Sequence, residues 1–241
     1  MVARASESPR YVAIAAEIRD TITNERLDPH TPIASERDLS ERHGVSRMTA
    51  RHALALLESE GYVYRRPPHG TFVAEPRVAF HIASFSDEIS RLGRTPGAEV
   101  LWAEERMPTR AVRDALGLTA NAMVHALQRL RLADGEPMAI ETTYVPTALT
   151  PGLLDQDLGG SLWALLREEY GVLAVSAKAS IQSVVIEDDA CKLLGVRSAS
   201  AGILLTRRTY DADGRAIEFA RDIYRADRAS FEVEALIPAP R

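Results

Sequence analysis

Apolar residues recur at helical spacing near the start of the chain, at Tyr11, Ile14, Ile18 and Ile22 of "PRYVAIAAEIRDTI". That pattern predicts an amphipathic helix. The polar stretch "NERLDPHTPIA" ends it. Ser35 stands three residues before Asp38, the spacing of a capping box, and Gly44 supplies a stop, so a second, short helix is predicted over Glu36 to His43. Ser46 can cap a third helix that runs to about Glu60 and ends at Gly61. On this helix Ala50, Ala53, Leu54 and Leu57 form one stripe and are expected to face a core, while Arg47, Met48 and Arg51 point away with His52 beside them. "GYVYRRPPHGTFV" then alternates and turns over at "PPHG", which predicts a hairpin of Tyr62–Arg66 against Thr71–Val73.

The pattern changes at "AEPRV", so a first domain is expected over 1–75, a linker over 76–80 and a second domain over 81–241. Short helical stretches closed by glycine follow: "FSDEISRLG", with its helix from about Ser86 to Leu92, "AVRDALGL" and "DDACKLLGV". Two strand-like runs resemble each other, "RLRLADGEPMAIETTYVP" (Arg129 to Pro146) and "RRTYDADGRAIEFARDIYRAD" (Arg207 to Asp227). Each carries Ala-Asp-Gly between alternating segments, a hairpin turn with positive φ, and each places a glutamate soon afterwards, Glu141 and Glu218. A loose duplication of two half-domains is expected, giving an α+β fold with an antiparallel sheet flanked by helices.

Composition narrows the classes. The 241 residues suffice for two ordinary domains, and the apolar and charged fractions are those of a soluble globular protein. No apolar run approaches the roughly 20 residues of a membrane span, and "MVARASESPR" lacks the apolar core of a signal peptide. A cytoplasmic protein without membrane association is therefore expected. The one cysteine, Cys191, is expected on a surface helix; it permits neither an intrachain disulfide nor a cysteine metal cluster. A net charge of −5 argues against a protein that coats nucleic acid over its whole surface. It leaves room for a local basic site, and Arg42 to Phe72 holds five arginines against two glutamates, with His43, His52 and His69.

That segment has the order of a reading device: three helices, a tight "HGVS" turn between the second and third, then a basic hairpin. In a helix-turn-helix the N-terminal half of the second helix enters the major groove. Arg47 and Arg51 lie there four residues apart, able to offer paired donors to guanine or to clamp a phosphate. Arg65 and Arg66 flank the small hairpin tip His69-Gly70 as phosphate partners. In the second domain, period-2 alternation sends Arg129 and Arg131 to one face of a strand. Two arginines on one face repel unless an anion sits between them, either an internal carboxylate such as Glu141 or a ligand's phosphate or carboxylate. Glu218, Asp222 and Tyr224 share a face of the other hairpin, with Ile217, Phe219 and Ile223 opposite. Such a polar face suits a polyhydroxylated anion, or is an exposed surface laced with ordinary ion pairs.

"SERDLSERHGVSRMTARHALALLESEGYVYRRPPHGTFV", Ser35 to Val73, resembles the winged-helix domain of the GntR family of bacterial repressors without a gap. The resemblance implies DNA contacts by Arg37, Ser46, Arg47, Thr49, Arg51 and the tip His69-Gly70. Residues from about Phe80 to Phe231 resemble the UTRA effector domain that marks the HutC subfamily and shares the chorismate-lyase fold. The signatures are "FSDEISRLGRTP", "RLRLADGEPMAIETTYVP", "SLWALLREEYGV" and "DADGRAIEFARDIYRADR". The likeness implies a phosphate held by Ser86, Arg129, Arg131 and Ser161, with Glu141, Glu218 and Tyr224 meeting the rest of a sugar phosphate. Trp163 stands where sugar-phosphate-binding members often have tyrosine.

A transcriptional regulator governed by a small anionic effector is therefore expected, with a sugar phosphate as leading ligand and a carboxylate metabolite as runner-up. A lyase-like enzyme is the alternative class. The sequence offers it no Gly-x-Ser-x-Gly elbow, His-Glu-x-x-His or phosphate-binding glycine loop, so no catalytic residue, metal or cofactor is expected. A purely architectural DNA-binding protein leaves the large second domain unexplained. A homodimer paired through the C-terminal domains would present two reading helices to a two-fold operator in double-stranded DNA.

Overall fold

A computed structural model describes residues 9–233. Residues 1–8, with most of the "MVARASESPR" stretch, and 234–241, the end of the expected second domain, lie outside the described residues. The described chain divides into two units, residues 9–78 with 226–228, and residues 79–225 with 229–233.

In the first unit, α1 (Arg10–Asn24) buries Ile14, Ala15 and Ile18, and the two-residue strand β1 (Pro32–Ile33) follows. Next come α2 (Glu36–His43), α3 (Arg47–Ser59), β2 (Val63–Arg66) and β3 (Gly70–Val73). The capping box forms as its spacing predicts: the Ser35 side chain accepts from the Asp38 amide and the Asp38 carboxylate from the Ser35 amide. Gly44, at φ +60, ends α2 in the left-handed region and turns the chain into α3. Ala50, Ala53, Leu54 and Leu57 fill the core with Leu39, Ile14 and Ile18. The sequence reads Pro32–Ile33 as part of a polar turn. In the structure it pairs with Thr71–Phe72, so the hairpin becomes a three-stranded sheet in the order β1-β3-β2.

The second unit is a doubled design. After β4 (Val78–Phe80), which falls within the expected linker, the chain builds α4 (Phe85–Arg91), β5 (Pro96–Arg106), α5 (Arg110–Leu116), β6 (Val124–Ala133) and β7 (Glu136–Pro146). It then repeats the plan with α6 (Leu162–Tyr170), β8 (Ser176–Val185), α7 (Asp188–Leu194), β9 (Ala201–Tyr210) and β10 (Ala216–Arg225), and closes with β11 (Ala229–Phe231), paired to β4. All six long strands form one antiparallel sheet in the order β5-β6-β7-β10-β9-β8, the halves meeting at β7 and β10. Each hairpin carries a bulge just after its turn, Met138 in the first and Ile217 in the second. Matching the bulges equates Arg129 with Arg207, Arg131 with Thr209, and Thr143 with Asp222.

One sheet face packs Leu127, Val145 and Ile217 under Leu153, Leu158, Leu162 and Leu166. On the other, α5 covers Val124, Tyr144 and Phe219, and α7 covers Leu130, Ile140 and Ile223. One expectation changes here. Ile217 is expected opposite Glu218, but the bulge turns it onto the α6 side with Leu127. Cys191 lies on a surface helix as expected, with its side chain on the inner face: with Leu194 it packs α7 on the sheet, and its thiol donates to the Ile186 carbonyl. The paired acids Glu168-Glu169 and Asp188-Asp189 are exposed.

Candidate nucleic-acid interface and effector site

The candidate reading face is built by α3. Ser46 caps it, its Oγ accepting from the Thr49 amide at 3.1 Å and lying 2.9 Å from the Thr49 hydroxyl. With the alanine and leucine stripe fixed inward, Arg47, Met48, Arg51 and His52 are exposed. Arg37, in the first turn of α2, is also exposed and pairs with Glu41 at 2.9 Å. Arg66, His69 and Gly70 are exposed at the hairpin tip, where Gly70 has a φ of +117 that side chains rarely adopt. Among the described residues the guanidiniums of Arg47, Arg51 and Arg66 make no ion pair, so an anionic partner meets no internal competitor. Arg65 differs from this group. It reaches back to the Arg51 carbonyl at 3.1 Å, to Glu58 at 3.4 Å and to Glu36 at 3.5 Å, bracing the hairpin against both helices.

The second site is a buried polar layer on the α6 side of the sheet. Arg129, directly opposite Glu141, is 1% exposed and fully engaged. Its Nε donates to Glu141 at 2.8 Å, Nη2 donates to the same carboxylate, and Nη1 donates to the Leu158 and Gly160 carbonyls at 2.9 Å each. Arg131 lies 3.5 Å from Glu141, donates to the Ser86 hydroxyl at 2.8 Å and stacks on Phe85, while its Nε has no partner. Ser161 caps α6 through the Ala164 amide. Glu218 accepts from Trp163 Nε1 at 3.1 Å, from Thr209 at 2.6 Å and from Arg207 at 3.3 Å. Arg207 also donates to the Ala83 carbonyl and stacks on the Trp163 ring. Tyr224 is buried against Phe80 and Phe231.

The two halves brace each other. Arg129 holds the Gly160 carbonyl just before the cap of α6, and its counterpart Arg207 holds the Ala83 carbonyl just before Ser84, the cap of α4. Each arginine thus fixes the helix start of the opposite half. Electrostatics follows from the same layout. Burial works against an ionised Glu141, but Arg129, Arg131 and Arg207 hold its carboxyl down to about 2. Asp222 faces Glu141 directly across β7 and β10 and meets Leu205 on its other side. Burial, with Glu141 and Glu218 nearby, pushes its carboxyl well up despite Arg207 and Arg131. Three guanidiniums thus share one layer with three carboxyl groups, and burial disfavours ionisation most at Asp222.

The structure therefore brings together Ser86, Arg129, Arg131 and Glu141, and beside them Trp163, Glu218 and Tyr224; Ser161 sits at the α6 cap. Sequence reasoning does not reach Arg207 or Thr143, nor single out Asp222 from its face. Arg207 becomes visible only when the hairpins are aligned bulge to bulge. Among the described residues no three His, Cys, Asp or Glu side chains cluster as metal ligands, and no helix is long and apolar enough to cross a membrane.

Comparison with known proteins finds two family models that match the chain. Residues 10–73 match the bacterial regulatory proteins of the gntR family, and residues 91–230 match the UTRA domain. The chain is 32% identical to the HTH-type transcriptional repressor NagR of Bacillus subtilis over 94% of both chains. It is 28% identical to the mannosyl-D-glycerate transport/metabolism system repressor MngR of Escherichia coli, over 94% of this chain and 96% of that one. The crystal structure of PhnF from Mycobacterium smegmatis superposes with a TM-score of 0.65 at 29% identity, covering 94% of this chain and all of that one. These relatives are regulators of transcription, which sets the lyase alternative aside. A winged helix-turn-helix followed by a UTRA domain thus places the chain in the GntR family of DNA-binding transcriptional regulators, in its HutC branch.

Proposed function

We propose that this regulator is a repressor whose operator binding is controlled by a small anion, with a sugar phosphate as the leading effector. In this reading residues 1–75 bind DNA, 76–80 link, and 81–241 bind effector and pair two protomers on a two-fold operator. Arg47, Arg51, Arg37, Ser46, Thr49, Arg66 and the tip His69-Gly70 meet the DNA, and Arg65 sets the hairpin's position. The observation that carries the effector assignment is Arg131. It is 3% exposed, shares Glu141 with Arg129, and keeps an Nε donor without a partner beside the Ser86 hydroxyl. A buried donor left unmatched is unfavourable, and an incoming phosphate oxygen would satisfy it. Ser161, Arg129 and Trp163 frame the same space, with Glu141, Glu218 and Tyr224 toward the sugar. A carboxylate effector is the second reading, favoured by one relative's connection to mannosyl-D-glycerate.

A thermal-shift screen with inorganic phosphate, sugar phosphates, free sugars and organic acids tests this. A ligand at about 100 times its dissociation constant adds roughly 2.7 kcal/mol. Stabilisation by a phosphorylated sugar, lost in Arg131→Gln, is the expected outcome. Stabilisation by carboxylates alone would replace the effector class, and an undiminished shift in Arg131→Gln would move the site elsewhere.

A further inference from the structure

Ala220 sits at the middle of the polar layer and contributes only a methyl group. In register, Thr143 stands directly opposite it on β7 and Arg207 directly opposite it on β9. Glu218 and Asp222 flank it two residues away on its own strand, pointing to the same side. Strands lie about 4.8 Å apart and alternate residues about 7 Å apart, so these four side chains ring the methyl. All are buried, Thr143 at 0%, Glu218 at 1%, Asp222 at 2% and Arg207 at 4% exposure. Glu218 is saturated by Thr209, Trp163 and Arg207. The other three each keep a polar atom without a partner: Thr143 Oγ1, Arg207 Nε and Asp222 Oδ1. Among the described residues, all five such buried atoms of this unit lie on this one sheet face, the remaining two being His125 Nδ1 and Arg131 Nε.

We propose that the ring around Ala220 is a hydroxyl-reading subsite, distinct from the anion-holding corner at Arg131 and Ser86, which takes a vicinal diol of the effector. One hydroxyl accepts from Arg207 Nε and donates to Asp222 Oδ1; its neighbour bonds the Thr143 hydroxyl. A hydroxyl group can do both at once, whereas a methylene can do neither. The internal duplication explains why the subsite lies in the second half. There Thr209 replaces Arg131, and Leu205 rather than an arginine stands opposite Asp222, so no second anion corner forms and Asp222 is left without an ion pair. The burial of Asp222, which favours its neutral carboxyl, fits a group that exchanges hydrogen bonds with hydroxyls. Because the ring is closed to solvent, entry requires the starts of α4 and α6, held by Arg207 and Arg129, to part.

This inference rests on the anion reading, so its test separates the two. Calorimetric titration would use inorganic phosphate, glucose 6-phosphate, glycerol 3-phosphate and cyclohexyl phosphate, against wild type, Thr143→Val and Ala220→Val. In wild type a hydroxylated ester should bind at least about tenfold more tightly than cyclohexyl phosphate, in line with one or two hydrogen bonds. That preference should fall by about several-fold in Thr143→Val, which keeps the hydroxyl held by Arg207 and Asp222, and vanish in Ala220→Val, while inorganic phosphate binds both within about twofold of wild type. Thr143→Val is nearly isosteric, so the test survives if Ala220→Val fails to fold. Equal binding of hydroxylated and cyclohexyl esters by wild type, or a preference undiminished in Thr143→Val, would overturn the subsite and leave the anion corner standing. Failure of every phosphate to bind wild type would overturn the anion reading and the subsite with it.

Discussion

Residues of one type divide by what they touch. Arg65 and Arg66 are neighbours, yet Arg65 is spent on Glu36, Glu58 and the Arg51 carbonyl while Arg66 is exposed. Arg65→Ala should therefore lower unfolding stability by about 1–2 kcal/mol. Arg66→Ala should leave stability within about 0.5 kcal/mol and reduce the salt dependence of DNA binding by about one unit of log–log slope. Denaturant melts and salt titrations of both variants check this. The facing acids Glu141 and Asp222 oppose each other in sign. Glu141, depressed to about 2 from its ordinary 4.5, contributes stability that is present above 4.5 and lost as pH falls through about 2. Asp222 is raised, so its contribution is present below its ordinary 3.8 and lost as pH rises through the folded value. Glu141→Gln should destabilise by about 3–5 kcal/mol at neutral pH, because it strands Arg129 and Arg131. Asp222→Asn should be neutral or stabilising by about 1 kcal/mol, with the gain growing as pH rises. Urea midpoints between pH 4 and 9 distinguish the two. The exposed face of α3 with Arg47 and Arg51, and the common face of Arg129 and Arg131, were legible from spacing alone, since helical and strand periods assign faces; that Glu141 is the carboxylate between the two was one of two readings left open. Arg65's inward commitment and the role of Arg207 were not legible, because both depend on carbonyls far away in sequence.

At the scale of elements, legibility followed local chemistry. Caps announced α2 and α3, and Asp-Gly turns announced both hairpins. The capping box is predicted to matter on its own: Ser35→Ala should cost about 0.5–2 kcal/mol, and Ser35→Asp should restore most of it, measured by thermal unfolding. Equal stability of Ser35→Ala and wild type would contradict the box as a working contact. β1 escaped because two residues carry no period, and it exists only through pairing with β3. The outer strands β5 and β8 escaped because edge positions face solvent, so the alternation that marks β6 and β10 is weak there. The bulges at Met138 and Ile217 are equally silent in a one-dimensional pattern, and the second one moved Ile217 to the other face. Cys191 followed a similar logic: a short helix gives too few turns for its buried face to be read without the sheet it covers.

For the molecule as a whole, the duplication organises the account. Two copies of a helix, strand, helix and hairpin meet along β7 and β10, and arginines from each half hold the helix start of the other. One half gathers surplus positive charge; the other keeps acids and hydroxyls. A ligand gripped by both halves can weaken DNA binding only as far as its affinity differs between the free and DNA-bound forms. The most direct measurement is selection of bound sequences from a random double-stranded pool, followed by titration of the recovered site with the anion that stabilises the purified protein. The account predicts a two-fold symmetric site whose affinity falls when the anion is added, and an affinity in Arg131→Gln that the anion leaves unchanged. An enriched site whose affinity no stabilising anion alters would contradict the link between reader and sensor.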